Sequence, residues 1–404
     1  MHSASRTLLG RARRLTDTTE TKVESSKADF AAAEAGSIGA LHKGSSPELL
    51  SVISCYGEGM DQNTTAIVGQ LKATYSVHTQ PGADPGGNTK DNQDAWCVQE
   101  RLGGQDMLLF GVFDGHGQEG KVVSHTICQN LPKIMARLVG SRPPPSIETA
   151  LSAAFPEANA SLKKRPGLDA DLSGSTGIVA LVHQSRLVAA NLGDSRCVLG
   201  KVDAHGAVTA VALSSDHTPM DAKEAERIIA TGGRIASFMC GDEPLGPPRV
   251  WLREVNIPGL CMTRSFGDYV AASVGVIDQP QLMAATLKPE DKYVVLMSDG
   301  IFEFLDSQQV MEEVHAAARA GQSPSEAAKR LVRLARKCWQ EQEDDIIDDC
   351  TAMVIYLSPA HSGGSAGGST ASAAALAARL ENNLRIGSTP GSGSHGALGY
   401  KRGV

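Results

Sequence analysis

The middle of the chain alternates short apolar runs with longer amphipathic stretches. Runs typical of buried strands occur at 107–113, 177–182, 187–191, 197–199, 293–297 and 351–357. Apolar residues recur at helical spacing over 120–139, 146–164, 220–231, 307–320 and 324–340. These patterns predict one folded domain, which we bound at residues 66–358.

One connection within this domain indicates the fold class. The predicted strands 177–182 and 187–191 are joined by residues 183–186 alone. Parallel strands need a crossover of a dozen or more residues, so this pair is predicted to be an antiparallel hairpin. Hairpins combined with long helices favour an α+β arrangement in layers over a doubly wound parallel sheet.

The two ends of the chain differ from this domain in composition. Residues 1–65 open with several arginines and have no acidic residue before Asp17. We expect a flexible N-terminal arm there, and a transit peptide that directs the chain to an organelle is the alternative. Residues 359–404 are rich in Gly, Ser and Ala, which predicts a flexible tail.

Composition narrows the function and the compartment. The chain has 38 Lys and Arg against 45 Asp and Glu, a net charge of −7, which argues against a nucleic-acid partner. No apolar run approaches the roughly 18 residues of a membrane span. The 8 cysteines are dispersed without a C-x-x-C pair, which favours free thiols in a reducing compartment. We expect a monomer in the cytoplasm or nucleus.

Acidic residues recur at the ends of the predicted strands. A single aspartate there is ordinarily a turn residue, but strand ends of stacked sheets converge, so several carboxylates can meet at one rim. Clustered carboxylates require a cation, and oxygen ligands suit Mg²⁺ or Mn²⁺. Two such ions activate water and clamp a phosphoryl group. The residues concerned are Asp94, Asp114, Asp194, Asp299, Asp348 and Asp349.

His116 is the candidate acid of such a site. It lies two residues after Asp114, with Gly115 and Gly117 on either side. A histidine in this position can protonate a leaving oxygen. The alternative is a solvated loop histidine with no catalytic role.

Several motifs in fixed order resemble those of the metal-dependent protein phosphatases, the type 2C protein Ser/Thr phosphatases. The motifs are VFDGHG at 112–117, GSTG at 174–177, NLGDSR at 191–196, DHTP at 216–219, TRSFGD at 263–268, SDG at 298–300 and DDCT at 348–351. Each is weak alone, and their order carries the resemblance.

The resemblance implies a fold and a centre with two Mg²⁺ or Mn²⁺ ions. The fold would be a central sandwich of two antiparallel β-sheets flanked by helices on both outer faces. By position, His116 resembles the general acid, Asp268 a supporting residue, and Asp194 a ligand of a weaker third metal. The remaining metal ligands would be the carboxylates of Asp94, Asp114, Asp299 and Asp348 and the carbonyl of Gly115.

This sequence departs from the family pattern at four positions. Gln93 stands where a glutamate is frequent, and it keeps an oxygen while losing the charge. Lys90 replaces a phosphate-binding arginine and is our candidate phosphate contact. Asp349 stands where an asparagine is usual, so Asp348 and Asp349 could exchange the ligand role. Glu303 stands where many relatives have an aspartate.

The activity implied is hydrolysis of phosphoserine and phosphothreonine on signalling phosphoproteins. The alternatives are a catalytically weak phosphoprotein-binding relative and a small-molecule phosphoesterase on the same scaffold. Residues 236–260 would form the family's flap, in which Met239, Trp251 and Leu252 could contact a phosphopeptide. Packing of Trp251 between the flap and the body is the alternative.

Overall fold

The computed structural model describes residues 52–56, 59–60, 62–240, 243–343 and 346–360, with the backbone alone for 52–56 and 240. Residues 361–404 of the predicted tail and most of the predicted N-terminal arm lie outside the described residues. Pro359, which was predicted to begin the tail, is the last residue of a strand. None of the helices in the described part is both long enough and apolar enough to cross a membrane.

Strands and helices follow the predicted alternation. The strands are β1 (Val52–Tyr56), β2 (Thr64–Val68), β3 (Leu71–Gln80), β4 (Ala95–Glu100), β5 (Met107–Phe113), β6 (Gly115–His116), β7 (Gly174–Ser175), β8 (Gly177–His183), β9 (Arg186–Leu192), β10 (Arg196–Val202), β11 (Val208–Ala212), β12 (Arg234–Cys240), β13 (Glu243–Trp251), β14 (Pro258–Leu260), β15 (Phe266–Gly267), β16 (Gln281–Thr286), β17 (Asp291–Met297) and β18 (Cys350–Pro359). The helices are α1 (Gly120–Val139), α2 (Ile147–Leu162), α3 (Ala222–Ala230), α4 (Tyr269–Ala272), α5 (Asp299–Phe302), α6 (Ser307–Arg319) and α7 (Pro324–Gln342).

Two antiparallel sheets form the centre of the molecule. The first has the order β1-β4-β5-β8-β9-β16 and the second the order β11-β10-β17-β18-β3-β2. The predicted hairpin is confirmed, since β8 and β9 pair antiparallel with Ala180 opposite Ala189. Because each sheet buries both faces, its strands are apolar on both sides, which explains the continuous apolar runs in the sequence.

Three apolar layers hold the sandwich together. Tyr75, Trp96 and Phe110 lie between the two sheets. Helices α1 and α2 cover the outer face of the first sheet, and α6 and α7 cover that of the second. The predicted α+β sandwich with helices on both outer faces is confirmed.

Local sequence sets the start of the two helices on the second sheet. Ser323 and Glu326 form a capping box at the start of α7, where Pro324 occupies the first turn. Asp306 and Gln309 form the same motif at α6. Each box satisfies backbone N–H groups that the first helical turn leaves without partners.

The sandwich begins earlier in the chain than predicted. Strand β1 and the first two residues of β2 lie within the segment 1–65 that was expected to be a flexible arm. In β1, Tyr56 pairs with Ala95 of β4. A run of five residues carries little periodic signal by itself, and it becomes a strand because β4 offers an edge to pair with.

The predicted flap is a three-stranded antiparallel sheet, β12-β13-β14. Its apolar residues Val250 and Leu260 form a cluster with Ile228 of α3 and Ala271 of α4. This cluster joins the flap strands to the two short helices beside the main sandwich.

Candidate active site

A cleft of about 540 Å³ collects most of the site residues predicted from the sequence. Its floor and one wall carry carboxylates that come from the ends of strands in both sheets. The predicted residues among its lining are Lys90, Asp114, Gly115, His116, Asp194, Asp299 and Asp348. The structure therefore brings together side chains that are up to 258 residues apart in sequence.

Asp94 lies beneath the cleft and is only 1% exposed. Its Oδ2 accepts a hydrogen bond of 2.8 Å from Ser298 Oγ. Its Oδ1 is buried and has no hydrogen-bond partner among the described residues. Burial, and then the charge of Asp349, raises the pKa of Asp94 to about 7. An unsatisfied buried carboxylate oxygen is costly, so this atom is suited to a cation.

Asp114 experiences the same crowding. Burial is the largest cause that raises the pKa of this carboxyl well above its usual range. The charges of Asp94, Asp299, Asp348 and Asp194 raise it further. Each of these neighbours disfavours a further negative charge. The cleft is therefore a concentration of negative charge that a divalent cation would relieve.

The donor set fits a hard cation, although the ligands are not preassembled. Among the described residues, no three His, Cys, Asp or Glu side chains are already arranged to hold an ion. Lys90 Nζ lies 3.2 Å from Asp348 Oδ1 and supplies a positive charge to the cluster. Since every candidate ligand is an oxygen, the residues fit Mg²⁺ or Mn²⁺.

The adjacent carboxylates Asp348 and Asp349 face in different directions. Asp349 is 5% exposed. Its Oδ1 accepts a hydrogen bond from the backbone N–H of Gly82 at 2.6 Å, and its Oδ2 accepts one from the backbone N–H of Gln93 at 2.8 Å. Asp349 thus braces two backbone segments, while Asp348 lines the cleft. This arrangement supports the ligand role for Asp348.

Gly115 has no room for a side chain. A Cβ there would lie 2.5 Å from the Gly120 carbonyl oxygen and 2.7 Å from that of Gln93. The backbone of β6 consequently packs directly against the backbone at Gln93 and Gly120, which a side chain at position 115 would prevent.

His116 is held by a buried carboxylate. Its Nε2 lies 2.7 Å from Asp268 Oδ2, and Asp268 also accepts a hydrogen bond of 2.6 Å from Ser265 Oγ. Burial by itself lowers the pKa of His116, but the charge and hydrogen bond of Asp268 outweigh it and raise the pKa above its usual value. Asp268 therefore orients the ring and stabilises its protonated form.

Gln93 is a hydrogen-bond donor, a role that the sequence did not predict. Its Nε2 donates a hydrogen bond of 2.9 Å to the Gly117 carbonyl. The interpretation considered only the oxygen that Gln93 retains, whereas the structure uses its N–H₂ group to hold the loop that carries His116. A glutamate could not donate this bond.

Arg196 is a second residue that the sequence interpretation left without a role. It lines the cleft, and its Nη2 and Nε bind Asp216 at 2.6 and 2.9 Å. Its guanidinium lies 3.9 Å from the ring centroid of Phe302. The NLGDSR motif contained this residue, but nothing in the sequence identified Asp216 as its partner.

The flap residues proposed as phosphopeptide contacts do not line the cleft. Neither Met239, Trp251 nor Leu252 is among the described lining residues. Trp251 is 3% exposed, donates from Nε1 to the Ala236 carbonyl at 2.8 Å, and meets Phe238 edge to face. These partners belong to the flap, and packing of Trp251 between the flap and the body stays a prediction.

A family model for Protein phosphatase 2C matches residues 87–344. The chain belongs to the protein phosphatase 2C family. This membership confirms the resemblance predicted from the sequence and the enzyme class, a protein serine/threonine phosphatase.

Curated relatives agree with this assignment. "Probable protein phosphatase 2C 64" of Oryza sativa subsp. japonica is 39% identical over 291 residues, covering 70% of this chain and 65% of that protein. The match therefore spans slightly less than two thirds of the rice protein. "Probable protein phosphatase 2C 72" of Arabidopsis thaliana is 34% identical over 317 residues, covering 76% of this chain and 91% of that protein.

Solved structures share the fold. A serine-threonine phosphatase 2C from Toxoplasma gondii superposes with a TM-score of 0.62 at 20% identity, covering 76% of this chain and 99% of that one. A C. elegans sex determining protein superposes with a TM-score of 0.56 at 23% identity, covering 70% of this chain and 64% of that one. At these identities the likeness concerns the fold alone.

Proposed function

We propose that this cleft hydrolyses phosphoserine and phosphothreonine on proteins in a reaction that depends on Mg²⁺ or Mn²⁺. The observation that carries the proposal is the convergence of carboxylates from both sheets around Asp94 and Asp114, whose pKa values are raised by burial and by neighbouring carboxylates. Family membership supports phosphatase activity, and phosphoproteins are the corresponding substrates.

Two ions would be held by oxygens from both sheets, and Asp194 would serve a weaker third. When bound, the ions would lower the pKa of water and offset the charge of the phosphoryl oxygens. The residues assigned to the two ions are Asp94, Asp114, Asp299 and Asp348, with the carbonyl of Gly115.

His116 supplies the proton that the leaving serine or threonine oxygen needs. An alkoxide is a poor leaving group, so its protonation lowers the barrier for an alkyl phosphate. Asp268, 2.7 Å from Nε2, keeps the ring oriented and favours the protonated form that can act as an acid.

Lys90 is assigned to the phosphoryl group. It lines the cleft with 37% of its side chain exposed and already lies beside Asp348. An ammonium is a compact charge without the fork of a guanidinium, so it would attract phosphoryl oxygens without fixing their orientation.

One alternative function differs from this proposal in catalysis and the other in substrate. A phosphoprotein-binding relative without catalysis would have no need for the crowded carboxylates, which oppose folding in the absence of a cation. A small-molecule phosphoesterase would hydrolyse free phosphomonoesters as efficiently as phosphopeptides.

The deciding experiment measures phosphate release from a phosphothreonine peptide and from a free alkyl phosphomonoester, with Mn²⁺, with Mg²⁺ and with excess chelator. We expect peptide hydrolysis that requires added metal and stops with chelator. Asp114→Asn serves as the inactive control. Full activity in chelator would overturn the metal assignment, and equal kcat/KM on both substrates would favour the small-molecule alternative.

A further inference from the structure

One wall of the cleft is apolar, in contrast to its floor. Met220 lines the cleft with 72% of its surface exposed, which is high for a large apolar side chain. The rest of this wall comes from the flap and from the two residues that follow β14. We refer to Met220, Pro247, Pro248, Cys261 and Met262 as the flap wall.

The backbone of the flap wall offers few hydrogen bonds to a bound peptide. Pro247 and Pro248 are consecutive in β13 and have no N–H group. A substrate strand therefore cannot extend the flap sheet along this stretch by regular pairing. What the flap wall presents to a ligand is mainly the exposed side chain of Met220 and the surface of the two prolines, since Met262 is only 8% exposed.

The rest of the lining is mainly charged. It includes Lys90, Asp348 and Glu303, and the carboxylates of Asp114 and Asp299. A phosphoryl group bound over these carboxylates would leave the next residue of the peptide close either to charged lining or to the flap wall. The flap wall is the one that an apolar side chain can contact without desolvating a charge.

We infer that the flap wall is a subsite for an apolar side chain adjacent to the phosphorylated residue of the substrate, with Met220 as the residue that determines this preference. This inference rests on the proposed function. Contact with a substrate side chain would cover exposed methionine surface, which is favourable in proportion to the apolar area buried. The flexible thioether of Met220 lets it adapt to side chains of different shape.

Arg196 and Asp216, the latter four residues before Met220, also line the cleft, but they bind each other at 2.6 Å. Arg249 is the remaining charged residue near the flap wall that could favour a different substrate. It lines the cleft, but it is 7% exposed, and its Nη1 donates to the Gly259 carbonyl at 2.8 Å. Its guanidinium also lies 5.3 Å from the ring centroid of Phe238. Held behind the flap wall in this way, Arg249 is less accessible to a neighbouring residue than Met220 is.

The test compares phosphothreonine peptides that differ at one flanking position. Leucine, asparagine or glutamate is placed immediately before or immediately after the phosphothreonine, and kcat/KM is measured with Mn²⁺. We expect leucine to exceed asparagine roughly tenfold at one of the two positions, the scale of discrimination that a hydrophobic contact provides. Glutamate should be no better than asparagine.

Variants assign the preference to Met220. Met220→Gln keeps the length of the side chain and makes it polar, so the ratio of leucine to asparagine peptide should fall to about twofold. Met220→Leu, which keeps an apolar side chain, should keep the wild-type ratio of roughly tenfold. Met239→Gln is the matched control, because Met239 is 58% exposed on the flap but does not line the cleft, and it should keep the wild-type ratio.

The outcomes separate this inference from the proposed function. Absence of phosphopeptide hydrolysis in the wild type would overturn both. Hydrolysis with equal kcat/KM for leucine and asparagine peptides at both positions would overturn the inference alone. A preference for glutamate, or a leucine preference that survives in folded Met220→Gln, would also overturn it. Each ratio is taken within one protein, so a general loss of activity does not imitate the expected result.

Discussion

Side chains of the cleft are positioned by partners from distant parts of the sequence. Asp268 holds His116 although 152 residues separate them, and Ser298 holds Asp94 across 204 residues. The orientation of each reactive group is therefore set by one or two hydrogen bonds. This makes single substitutions informative about role.

Replacement of His116 by alanine tests the general-acid role. His116→Ala should lower kcat for a phosphothreonine peptide by roughly 10²–10⁴-fold, the usual contribution of acid–base catalysis. The loss should be much smaller for an aryl phosphate, whose leaving group needs little protonation. Steady-state kinetics on the two substrates provides the comparison.

Asp268→Asn is the companion variant for this measurement. It keeps the shape of the side chain that supports His116 and removes the charge, so it should show the same substrate dependence with a smaller loss. Equal losses on peptide and aryl phosphate in both variants would contradict proton donation by His116.

At the scale of elements, helix α3 is tied to the cleft by one buried carboxylate. Glu224 accepts hydrogen bonds from Arg264 Nη2 at 2.6 Å, Thr263 Oγ1 at 2.7 Å and Arg227 Nη2 at 2.8 Å. Thr263 and Arg264 follow the flap wall directly in sequence. The cluster therefore fixes α3 and the flap relative to the strand that returns to the sandwich.

Glu224→Gln should lower the free energy of unfolding at pH 7 by roughly 2–3 kcal/mol, because charged hydrogen bonds in a buried site are lost. Burial by itself raises the pKa of Glu224, but the bonds from Arg264, Arg227 and Thr263 hold it well below the usual value of 4.5. A depressed pKa in the folded state stabilises the protein above the unfolded-state pKa, and this contribution is lost as the pH falls below about 4.5.

The difference between wild type and Glu224→Gln should therefore shrink by roughly 1 kcal/mol between pH 7 and pH 3.5 in urea unfolding. Glu226→Gln provides the control, since Glu226 is exposed on the same helix and should change stability by less than about 0.5 kcal/mol at either pH. A Glu224→Gln effect that is independent of pH would mean that the charge of Glu224 contributes nothing.

For the whole molecule, the proposed metal centre predicts that folding is coupled to metal binding. Several negative charges meet where the two sheets end, and they oppose folding until a cation neutralises them. The charge of Asp299 contributes to the raised pKa of Asp114, so we expect it to destabilise the metal-free folded protein.

Asp299→Asn keeps the side-chain shape and removes one charge. The metal-free variant should melt at or above the temperature of the metal-free wild type, while the rise in Tm on addition of Mn²⁺ should be much smaller than in wild type. Thermal melting of both proteins, in chelator and in Mn²⁺, measures the two shifts. If Asp299 were only a turn residue, the variant would be less stable in both conditions and the Mn²⁺ shift would survive.

The sequence by itself determined the local features of the fold, the family, and most of the residues that line the cleft. The period of apolar residues placed the long helices, for example Gly120–Val139, and the four-residue connection at 183–186 required the antiparallel hairpin. Ordered motifs identified the family. Most of the residues chosen for the site, including Asp114, His116 and Asp348, line one cleft. These features are local in the chain, or are carried by residue identity.

Only the tertiary structure decided which neighbours each residue has. It paired β1 with β4, turned Asp349 toward backbone amides while Asp348 faces the cleft, and used the amide of Gln93 as a donor. It also buried Trp251 within the flap and exposed Met220 on the cleft wall. Burial and hydrogen-bond partners arise from segments that are far apart in sequence, and no local pattern records which segments will meet.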